Sequence, residues 1–501
     1  MNQQSYTIKI ARHGRILVHI QDFPLADNHI TFLFGESGIG KSLIAKAIYG
    51  LLSPDEFDIE INGEEYAKYF RNNRLIKIQK NSFFSFQEPS THLNPLMMLD
   101  EQLKEGSLHN RPSLHRVLSR FWNSDELEKM ESILQVYPKP YRPSGGEKQR
   151  ILLAMSFLRI ENYLTQHHFD EDTLFIFDEP GGSLDDHSRN IFLSYLVDVF
   201  RRHPFTVLLI THDYSTISAV QHLATTLQDK ILYKELTFQE GRLRCVEFKP
   251  ETYLQWLHVQ VPSRTFHEKK QTKRILLQVE NRVDVFDRRL ELFHDGQGEH
   301  PCNLEILPSS IVYLKAPSGT GKTTFAKALM GLTETQHLRM KLKTLVMDER
   351  TPREFWKQKI WGKHMTMVFQ HADEALNQQS TVEGALTGLP SHRPFHEVQQ
   401  LIGELFESEY GGSFLRTRIQ YLSGGQKQKL NLIRSILLDT EILILDEPLN
   451  GLDFRSIARV IKLLQKKREE GKGLLLISHN EEIFDRLVLK ENIYYLQSLP
   501  A

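Results

Sequence analysis

The chain has 501 residues, with 62 Lys and Arg against 63 Asp and Glu and a formal net charge of −1 at pH 7. A single core rarely grows to this length, so two or more domains are expected, and the balanced charge disfavours a protein whose main task is to wrap RNA or DNA. Two cysteines, Cys245 and Cys302, are too few for a disulfide framework, a cysteine-bound zinc or an iron–sulfur cluster, so a reducing cytoplasm fits best.

The N-terminal residues alternate apolar and polar side chains, as a strand does, and lack the apolar stretch of a secretory signal. The most apolar runs, residues 205–210 and 473–478, are far shorter than the ~20 residues that a helix needs to cross a bilayer. We therefore expect neither a targeting signal nor a membrane span.

A phosphate-binding loop is predicted at residues 35–42, GESGIGKS, between an apolar strand at 29–34 and a helix at 41–52. Glycines let the backbone amides turn toward phosphates, Lys41 would reach the β- and γ-phosphates, and the Ser42 hydroxyl would bind Mg²⁺. The predicted nucleotide-binding residues of this loop are Gly35, Glu36, Ser37, Gly38, Ile39, Gly40, Lys41 and Ser42.

A second apolar strand, residues 173–177, ends in Asp-Glu-Pro. Strands of α/β folds deliver acidic groups to their carboxyl ends in this way, so Asp178 is predicted to hold Mg²⁺ beside the nucleotide. Glu179 would lie where a carboxylate accepts a proton from the attacking water.

The second half of the chain repeats the same order. APSGTGKT at 316–323 lies between a strand at 310–315 and a helix at 322–332, and a strand at 441–445 ends in Asp446 and Glu447. Five motif residues pair between the halves with number differences of 281, 283, 279, 268 and 267, which chance would not produce. The predicted nucleotide-binding residues of the second loop are Ala316, Pro317, Ser318, Gly319, Thr320, Gly321, Lys322, Thr323 and Thr324.

Ala316 replaces the first glycine of the loop pattern. A methyl group can strain a conformation that glycine enters freely, but the residues nearest the phosphates are retained, so intact binding is the favoured interpretation over a dead site.

The spacing places an insertion in the first copy at about residues 161–172. His167 and His168 lie there, and a solvated loop is favoured over a metal site because two neighbouring histidines lack further ligands. The predicted domains are residues 1–262 and 273–501, joined by a linker at 263–272. The Lys/Arg cluster around this linker is interpreted as solvated rather than as a nucleic-acid site.

Further motifs identify a family resemblance. PSGGEKQR (143–150) and LSGGQKQK (422–429) resemble the signature of ATP-binding cassette (ABC) ATPases, FSFQEP and MVFQHA its Q-loop, SLDD and NGLD its D-loop, and ITHD and ISHN its switch-histidine loop. The likeness covers nearly the whole chain. It implies an α/β fold with two P-loop NTPase domains, each a mixed-sheet core with a helical subdomain, packed head to tail.

In that family each ATP lies between the phosphate loop of one module and the signature of the other. The first site would combine Lys41, Ser42, Gln87, Asp178, Glu179 and His212 with Ser423, Gly424, Gly425 and Gln426. The second would combine Lys322, Thr323, Gln370, Asp446, Glu447 and His479 with Ser144, Gly145, Gly146 and Glu147.

In these sites Gln87 and Gln370 are also implied metal ligands. The implied catalytic residues are Gln87, Glu179 and His212 in the first site and Gln370, Glu447 and His479 in the second. Ala316 and a signature with Pro143 and Glu147 in place of Leu and Gln fall on the same second site. Because Glu447 and His479 are retained, we expect both sites to hydrolyse ATP, with the second slower.

The ring that stacks on adenine is not assigned. His13 is the flat ring available in the first copy, and Phe286 or Phe293 in the second; for each, core packing is the favoured role.

The Q-loop segments at 86–99 and 369–382 look like those of the two ATPases of oligopeptide- and nickel-type importers. The implied role is to power uptake of peptides, nickel or metal chelates, with separate permease subunits and a solute-binding protein, on the cytoplasmic face of the membrane. The implied cofactors are ATP and Mg²⁺, and no nucleic acid is expected.

Two alternatives stay open. The first is a tandem cassette ATPase that acts on ribosomes or nucleic acid, although its types with iron–sulfur clusters or zinc need more cysteines than this chain has. The second, a structural module without catalysis, is disfavoured by Glu179 and Glu447. The second module also ends 22 residues after His479, without the extension common in peptide importers, which weakens the choice of substrate.

Overall fold

The structure is a computed structural model that describes residues 3–71, 73–88, 93–94, 96–104, 111–122, 134, 145–165, 173–181, 186–239, 242–260, 274–286, 288–317, 319–389, 395–406 and 412–500. His167, His168 and the predicted linker lie outside these residues. The chain divides into two compact units, Met1–Tyr253 (unit 1) and Leu254–Ala501 (unit 2).

Unit 1 contains two sheets. An antiparallel sheet has the strand order β2-β1-β4-β5, and a six-stranded sheet has the order β10-β9-β3-β8-β7-β6, parallel from β9 to β6. The strands are β1 Gln3–Arg12, β2 Arg15–Ala26, β3 Ile30–Gly35, β4 Asp58–Ile61, β5 Glu64–Glu65, β6 Phe83–Ser85, β7 Leu174–Asp178, β8 Thr206–Ile210, β9 Ile231–Gln239 and β10 Arg242–Glu247.

The helices of this half of the chain flank the parallel strands in sequence. They are α1 Lys41–Tyr49, α2 Tyr66–Phe70, α3 Asn73–Asn81, α4 Leu99–Lys104, α5 Arg111–Phe121, α6 Gly145–Thr165, α7 Asp186–Arg202, α8 Ser215–Leu223 and α9 Pro250–Val259, with a 3₁₀ turn at Gln228–Lys230. The boundary between the units falls within α9.

Unit 2 repeats this arrangement with a small antiparallel sheet, β14-β11-β16-β17, and a seven-stranded sheet, β12-β13-β21-β15-β20-β19-β18. The strands are β11 Leu277–Val279, β12 Arg282–Val285, β13 Arg288–Phe293, β14 Leu304–Ile306, β15 Ile311–Lys315, β16 Arg339–Leu342, β17 Leu345–Asp348, β18 Met365–Val368, β19 Ile442–Asp446, β20 Gly473–Ile477 and β21 Ile493–Pro500.

The helices of unit 2 follow the same order as those of unit 1. They are α10 Lys322–Leu329, α11 Arg353–Phe355 leading into a π-helix Trp356–Ile360, α12 Val382–Thr387, α13 Phe395–Phe406, α14 Gly412–Leu415, α15 Gly424–Leu437, α16 Phe454–Glu469 and α17 Glu481–Leu487. Short 3₁₀ turns lie at Ala372–Glu374, Ile419–Tyr421 and Lys490–Asn492.

The central strands are apolar along their whole length because they are covered on both faces. Every residue of β7, β8, β19 and β20 is buried, as expected for parallel strands between helical layers. These strands end in the acidic pairs and lead to the switch histidines. The sheet therefore gathers the predicted site residues at the carboxyl edge of its strands, the usual ligand position of such folds.

The mixed α/β architecture predicted for each half is confirmed. Among the described residues, no helix combines the length and the apolar character that a bilayer span requires.

Candidate functional site

The phosphate loop of unit 1 joins β3 to α1. Gly38 and Gly40 have φ of 82° and 111°, a region that residues with side chains avoid, so the loop needs glycine at both positions. Lys41 is buried, and its Nζ donates hydrogen bonds to the carbonyl oxygens of Gly35 at 2.5 Å and Glu36 at 2.9 Å. The ammonium group therefore lies inside the loop at the helix N-terminus, where an anion is favoured.

The loop of unit 2 has nearly the same form. Gly319 and Gly321 have φ of 80° and 108°, and Lys322 Nζ donates to the carbonyl oxygens of Ala316 at 2.6 Å and Pro317 at 3.4 Å. Ser318 lies outside the described residues. Both loops thus hold their lysine in the same way.

The two loops differ at their first residue. Gly35 has φ of 139°, and a β-carbon there would lie 2.5 Å from the carbonyl oxygen of Leu236 on β9. Ala316 does not have a positive φ, and its methyl group packs against the core of unit 2. The backbone at the start of the loop therefore has a different conformation in unit 2, and Ala316 is not strained.

The first acidic residue of unit 1, Asp178, lies at the end of β7 and is 1% exposed. Its Oδ1 accepts a hydrogen bond of 2.9 Å from the Ser42 hydroxyl. Burial raises the pKa of Asp178 to about 6. A buried carboxylate next to a hydroxyl at the mouth of the loop is the kind of oxygen pair that binds Mg²⁺.

The second acidic residue, Glu179, adopts φ of 49°, a strained conformation of a kind that clusters at functional sites. Its Oε2 accepts from Gln87 Nε2 at 3.1 Å and lies 3.0 Å from His212 Nδ1. Burial alone would raise the pKa of Glu179, but the His212 ring, the Lys41 charge and the Gln87 hydrogen bond outweigh it, and the pKa falls to about 2. The predicted glutamate, glutamine and histidine therefore meet in unit 1.

In unit 2, both carboxylate oxygens of Asp446 are buried and have no hydrogen-bond partner among the described residues. The Thr323 hydroxyl donates to Gln370 Oε1 at 3.1 Å, and burial raises the pKa of Asp446 to about 6. Unpartnered oxygens with a hydroxyl and an amide oxygen nearby fit a hard cation. Because the described residues contain no cluster of three or more His, Cys, Asp or Glu, such a cation would also need ligands from the nucleotide or water.

Glu447 repeats the positive φ of Glu179, at 47°, but meets other partners. Its Oε2 accepts from the Ser478 hydroxyl at 2.8 Å and from the backbone N–H of His479 at 3.2 Å, and the His479 ring lies 3.6 Å from Oε1. The same ring lies 3.5 Å from Lys322 Nζ. Burial raises the pKa of Glu447 to about 7.

The signature segments begin helices α6 and α15. Ser423 caps α15 through a capping box with Gln426, in hydrogen bonds of 3.1 Å and 3.0 Å, and Gly424 and Gly425 form the first turn. In unit 1, Ser144 and Pro143 lie outside the described residues, Gly145 and Gly146 begin α6, and Glu147 is buried.

Each signature helix carries a basic side chain that contacts a neighbouring aromatic ring. The guanidinium of Arg150 lies 5.0 Å from the Trp122 ring, and Lys429 Nζ lies 4.9 Å from the Phe406 ring, both within cation–π range. This repeated contact is not visible in the motifs themselves.

Two residues with a clear place in the sites were missed from the sequence. Ser478 donates to Glu447, and Lys315 Nζ pairs with Glu481 at 3.0 Å and Asp485 at 2.7 Å on α17, directly after the switch histidine. A hydroxyl residue before each switch histidine, in ITHD and ISHN, was the available signal for Ser478.

The structure also separates the aromatic candidates. His13 and Phe286 lie at equivalent hairpin turns with φ of 50° and 54°, and Phe286 is 81% exposed, whereas Phe293 is buried. An exposed ring can stack on a base, so Phe286 is available for that role and Phe293 is not.

Three comparisons with known proteins agree with this arrangement. A sequence model described as "ABC transporter" matches residues 18–180 and 300–450. An uncharacterized ABC transporter ATP-binding protein, YejF of Escherichia coli strain K12, is 27% identical over 89% of this chain and 84% of its own length. The glutathione import ATP-binding protein GsiA of the same organism is 24% identical over 95% of this chain and 81% of its own.

Among solved structures, an archaeal ribosome recycling factor, aABCE1, in complex with the ribosomal stalk protein aP1, superposes with a TM-score of 0.60 at 18% identity. The match covers 97% of this chain and 89% of that one. At this identity the likeness concerns the fold alone.

Proposed function

The chain belongs to the ABC transporter family, binds ATP and hydrolyses it, and from that premise we propose that it powers the uptake of peptides, nickel or metal chelates through separate permease subunits. The observation that carries the proposal is the duplicated site in a chain that GsiA, an import ATP-binding protein, matches over 95% of the sequence. Glutathione is itself a short peptide, which favours cargo of that class.

In this proposal Lys41 and Lys322 bind the β- and γ-phosphates. Their ammonium groups already lie inside a loop whose carbonyl and amide groups surround a helix N-terminus, and they donate hydrogen bonds to its carbonyl oxygens. The rest of each loop would bind the phosphates through backbone N–H groups, at Glu36, Ser37, Ile39, Ser318, Thr320 and Thr324 in addition to the glycines. Pro317 has no N–H to donate and would only shape the loop.

Bound Mg²⁺ would neutralise charge on the phosphates during hydrolysis. The residues that would hold it are Ser42, Gln87 and Asp178 in unit 1 and Thr323, Gln370 and Asp446 in unit 2. The hydroxyl bonded to Asp178 and the partnerless oxygens of Asp446 support this assignment.

Glu179 and Glu447 would accept the proton of the attacking water. The Glu179 carboxylate already contacts His212 and Gln87. These side chains would have to move away from it before it could accept a proton from water. Glu447 is instead held by the Ser478 hydroxyl. The His479 ring, at 3.6 Å from its carboxylate, is beyond hydrogen-bond distance and would not have to be displaced.

We further propose the domains 1–262 and 273–501 with a linker between them. The signature residues Ser144, Gly145, Gly146, Glu147, Ser423, Gly424, Gly425 and Gln426 would also bind ATP. The chain would act at the cytoplasmic face of the membrane, with the segments after Gln87 and Gln370 against the permease and a solute-binding protein outside.

The decisive experiment isolates the chain from gently solubilised cells and identifies what accompanies it by mass spectrometry. Integral membrane proteins and a solute-binding protein are expected. Recovery with ribosomes or nucleic acid, and without membrane proteins, would contradict the proposal and favour a role at the ribosome, as in the ribosome recycling factor aABCE1.

Uptake provides a matched control. Cells that lack the chain are complemented with the wild type, with a Glu179→Gln/Glu447→Gln double variant, or with an exposed-site variant, Glu60→Gln. Uptake of the proposed cargo (peptides, nickel or metal chelates) is then measured in each strain. Uptake restored by the wild type and Glu60→Gln, but not by the double variant, would support powered import; equal uptake in all three would contradict it.

A further inference from the structure

A cavity of about 430 Å³ lies in unit 1, away from the phosphate loop. It is bounded by the end of α8, by β9 and β10, and by the start of α9. Its volume falls within the ~300–1,000 Å³ range of small-molecule sites. None of the predicted nucleotide, metal or catalytic residues lines it.

The floor of the cavity is apolar. Ala224, Ile231 and Phe248 are buried there, and the Tyr233 ring stacks on Phe32 at 5.3 Å between centroids. An apolar floor of this kind can take up an aliphatic or aromatic side chain.

The rim carries one cation and one anion, the exposed Lys249 and Glu251. Lys234 and Glu247 also border the cavity, but successive side chains of a strand alternate, so their side chains lie on the opposite face of the sheet from Tyr233 and Phe248. Within the described residues, neither the Lys249 nor the Glu251 side chain has a hydrogen-bond or ion-pair partner.

The Tyr233 hydroxyl belongs to the same rim. It makes no hydrogen bond within the described residues, and burial together with the nearby Glu251 carboxylate raises the pKa of Tyr233. The hydroxyl therefore stays protonated and can donate to a carboxylate or accept from an ammonium group.

The balance of charge selects the ligand. A simple anion such as phosphate would face the Glu251 carboxylate, and a simple cation would face the Lys249 ammonium group. A zwitterion can place its carboxylate at a lysine, its ammonium group at a glutamate and its side chain on the apolar floor. We propose that this cavity binds a zwitterionic solute, either a free amino acid with an apolar side chain or a short peptide.

The test titrates the full chain, free of nucleotide, with alanyl-leucine in a calorimeter. The N-acetylated and C-amidated forms of the same dipeptide each remove one charge, and we expect each to bind about tenfold more weakly or worse, because charge-assisted hydrogen bonds are lost. Binding that is equal for the blocked forms, or tighter for inorganic phosphate, would overturn the proposal, as would no heat of binding at all.

Variants locate the site. Lys249→Met and Glu251→Gln remove one charge each without changing the volume greatly, and each should weaken alanyl-leucine binding about tenfold. Lys462→Met on α16 and Glu349→Gln after β17, both at exposed positions, are the matched controls and should bind as the wild type does. Thermal melting of each variant shows that it is folded; undiminished binding by a folded Lys249→Met/Glu251→Gln double variant would refute the assignment.

This inference does not depend on transport, since no permease takes part in the titration. A negative result leaves the proposed import role standing, and failure to recover a permease leaves the cavity's ligand class standing.

Discussion

Glu179 of unit 1 and Glu447 of unit 2 follow equivalent buried strands with φ of 49° and 47°, yet their carboxylates meet different partners. Glu179 is bound by Gln87 and lies beside the His212 ring, and its pKa falls to about 2. Glu447 is bound by the Ser478 hydroxyl and a backbone N–H, and burial raises its pKa to about 7. Equal motifs therefore do not make equal sites.

The difference bears on how well each glutamate would serve as the proposed general base. A general base works best with a pKa near the working pH, which favours Glu447, whereas Glu179 must first leave a charged partner. The signature departures Pro143 and Glu147 point the other way, because they are the basis for predicting a slower second site. The proposal of a slower second site therefore weighs a better-placed base against a poorer signature.

The largest expected effect is on turnover. Glu179→Gln and Glu447→Gln each remove one proton acceptor, a contribution of about 10²–10⁴-fold to the rate at that site. If the second site is slower, Glu179→Gln leaves less of the total ATP hydrolysis than Glu447→Gln, measured as phosphate release at saturating ATP. Glu60→Gln and Glu349→Gln, exposed in the two units, serve as controls. Equal residual rates would show that the two sites turn over alike.

The next largest expected effect is on folding stability and concerns the first residue of each phosphate loop. Gly35→Ala places a β-carbon against the Leu236 carbonyl at a φ of 139°, and overpacking of this order costs about 1–3 kcal/mol. Ala316→Gly relieves no strain and changes stability by less than about 1 kcal/mol. Denaturant unfolding of the nucleotide-free chain measures both. A neutral Gly35→Ala would mean that the two loops share one backbone after all.

The paired glutamates also predict opposite effects on stability in the metal- and nucleotide-free chain. The folded pKa of Glu447, about 7, exceeds its ordinary value of 4.5, so folding is penalised as pH rises through this interval, and Glu447→Gln should stabilise the chain above pH 7 by on the order of 1–2 kcal/mol. The folded pKa of Glu179 is lowered, so its contribution is present above 4.5 and lost as pH falls toward 2.

Glu179→Gln should therefore destabilise the chain above pH 7, where Glu447→Gln stabilises it. Thermal melting of both variants across this pH range is the measurement. Shifts of the same sign in the two variants would contradict the contrast between the two carboxylate environments.

The central strands and the phosphate loops could be predicted from the sequence, because apolar runs indicate the strands and glycine spacing indicates the loops. The acidic residues could be placed at the ends of those strands. The runs at 173–177 and 441–445 do lie in β7 and β19, and the acids follow where expected. The ends of helices were less accurate. The helix predicted at 41–52 stops at Tyr49, because Gly50 adopts φ of 77°, and the helix predicted at 322–332 stops at Leu329.

Side-chain partners were not predictable in the same way. ITHD and ISHN both place a hydroxyl before the histidine, but Thr211 Oγ1 accepts from the backbone N–H of Asp213 at 3.0 Å, while Ser478 donates to Glu447. Asp213 also pairs with Arg189 on α7, and the equivalent of Asp213 in unit 2 is Asn480. These choices depend on contacts distant in sequence, which a motif does not encode.

The smallest expected effect concerns the residue before each phosphate loop. Phe34 stacks on Tyr214 with ring centroids 4.5 Å apart, whereas Lys315, its counterpart, pairs with Glu481 and Asp485 on the helix after His479. Both contacts join the strand before the loop to the segment after the switch histidine, one by aromatic stacking on the residue before the helix and one by charge on the helix itself. Lys315→Met should cost at most about 1 kcal/mol at low salt, since Glu481 and Asp485 are partly exposed, and less at 1 M salt, where the Debye length is about 3 Å.

Phe34→Leu is the matched variant, because its cost arises from packing and should persist at every ionic strength. Denaturant unfolding of both variants at low and high salt separates the two kinds of contact. A Lys315→Met cost that does not change with salt would mean that the side chain stabilises unit 2 through the packing of its aliphatic part rather than through its charge. The strands before both loops would then be held by apolar contacts, and the differences between the sites would lie in their glutamates and in the first residue of each loop.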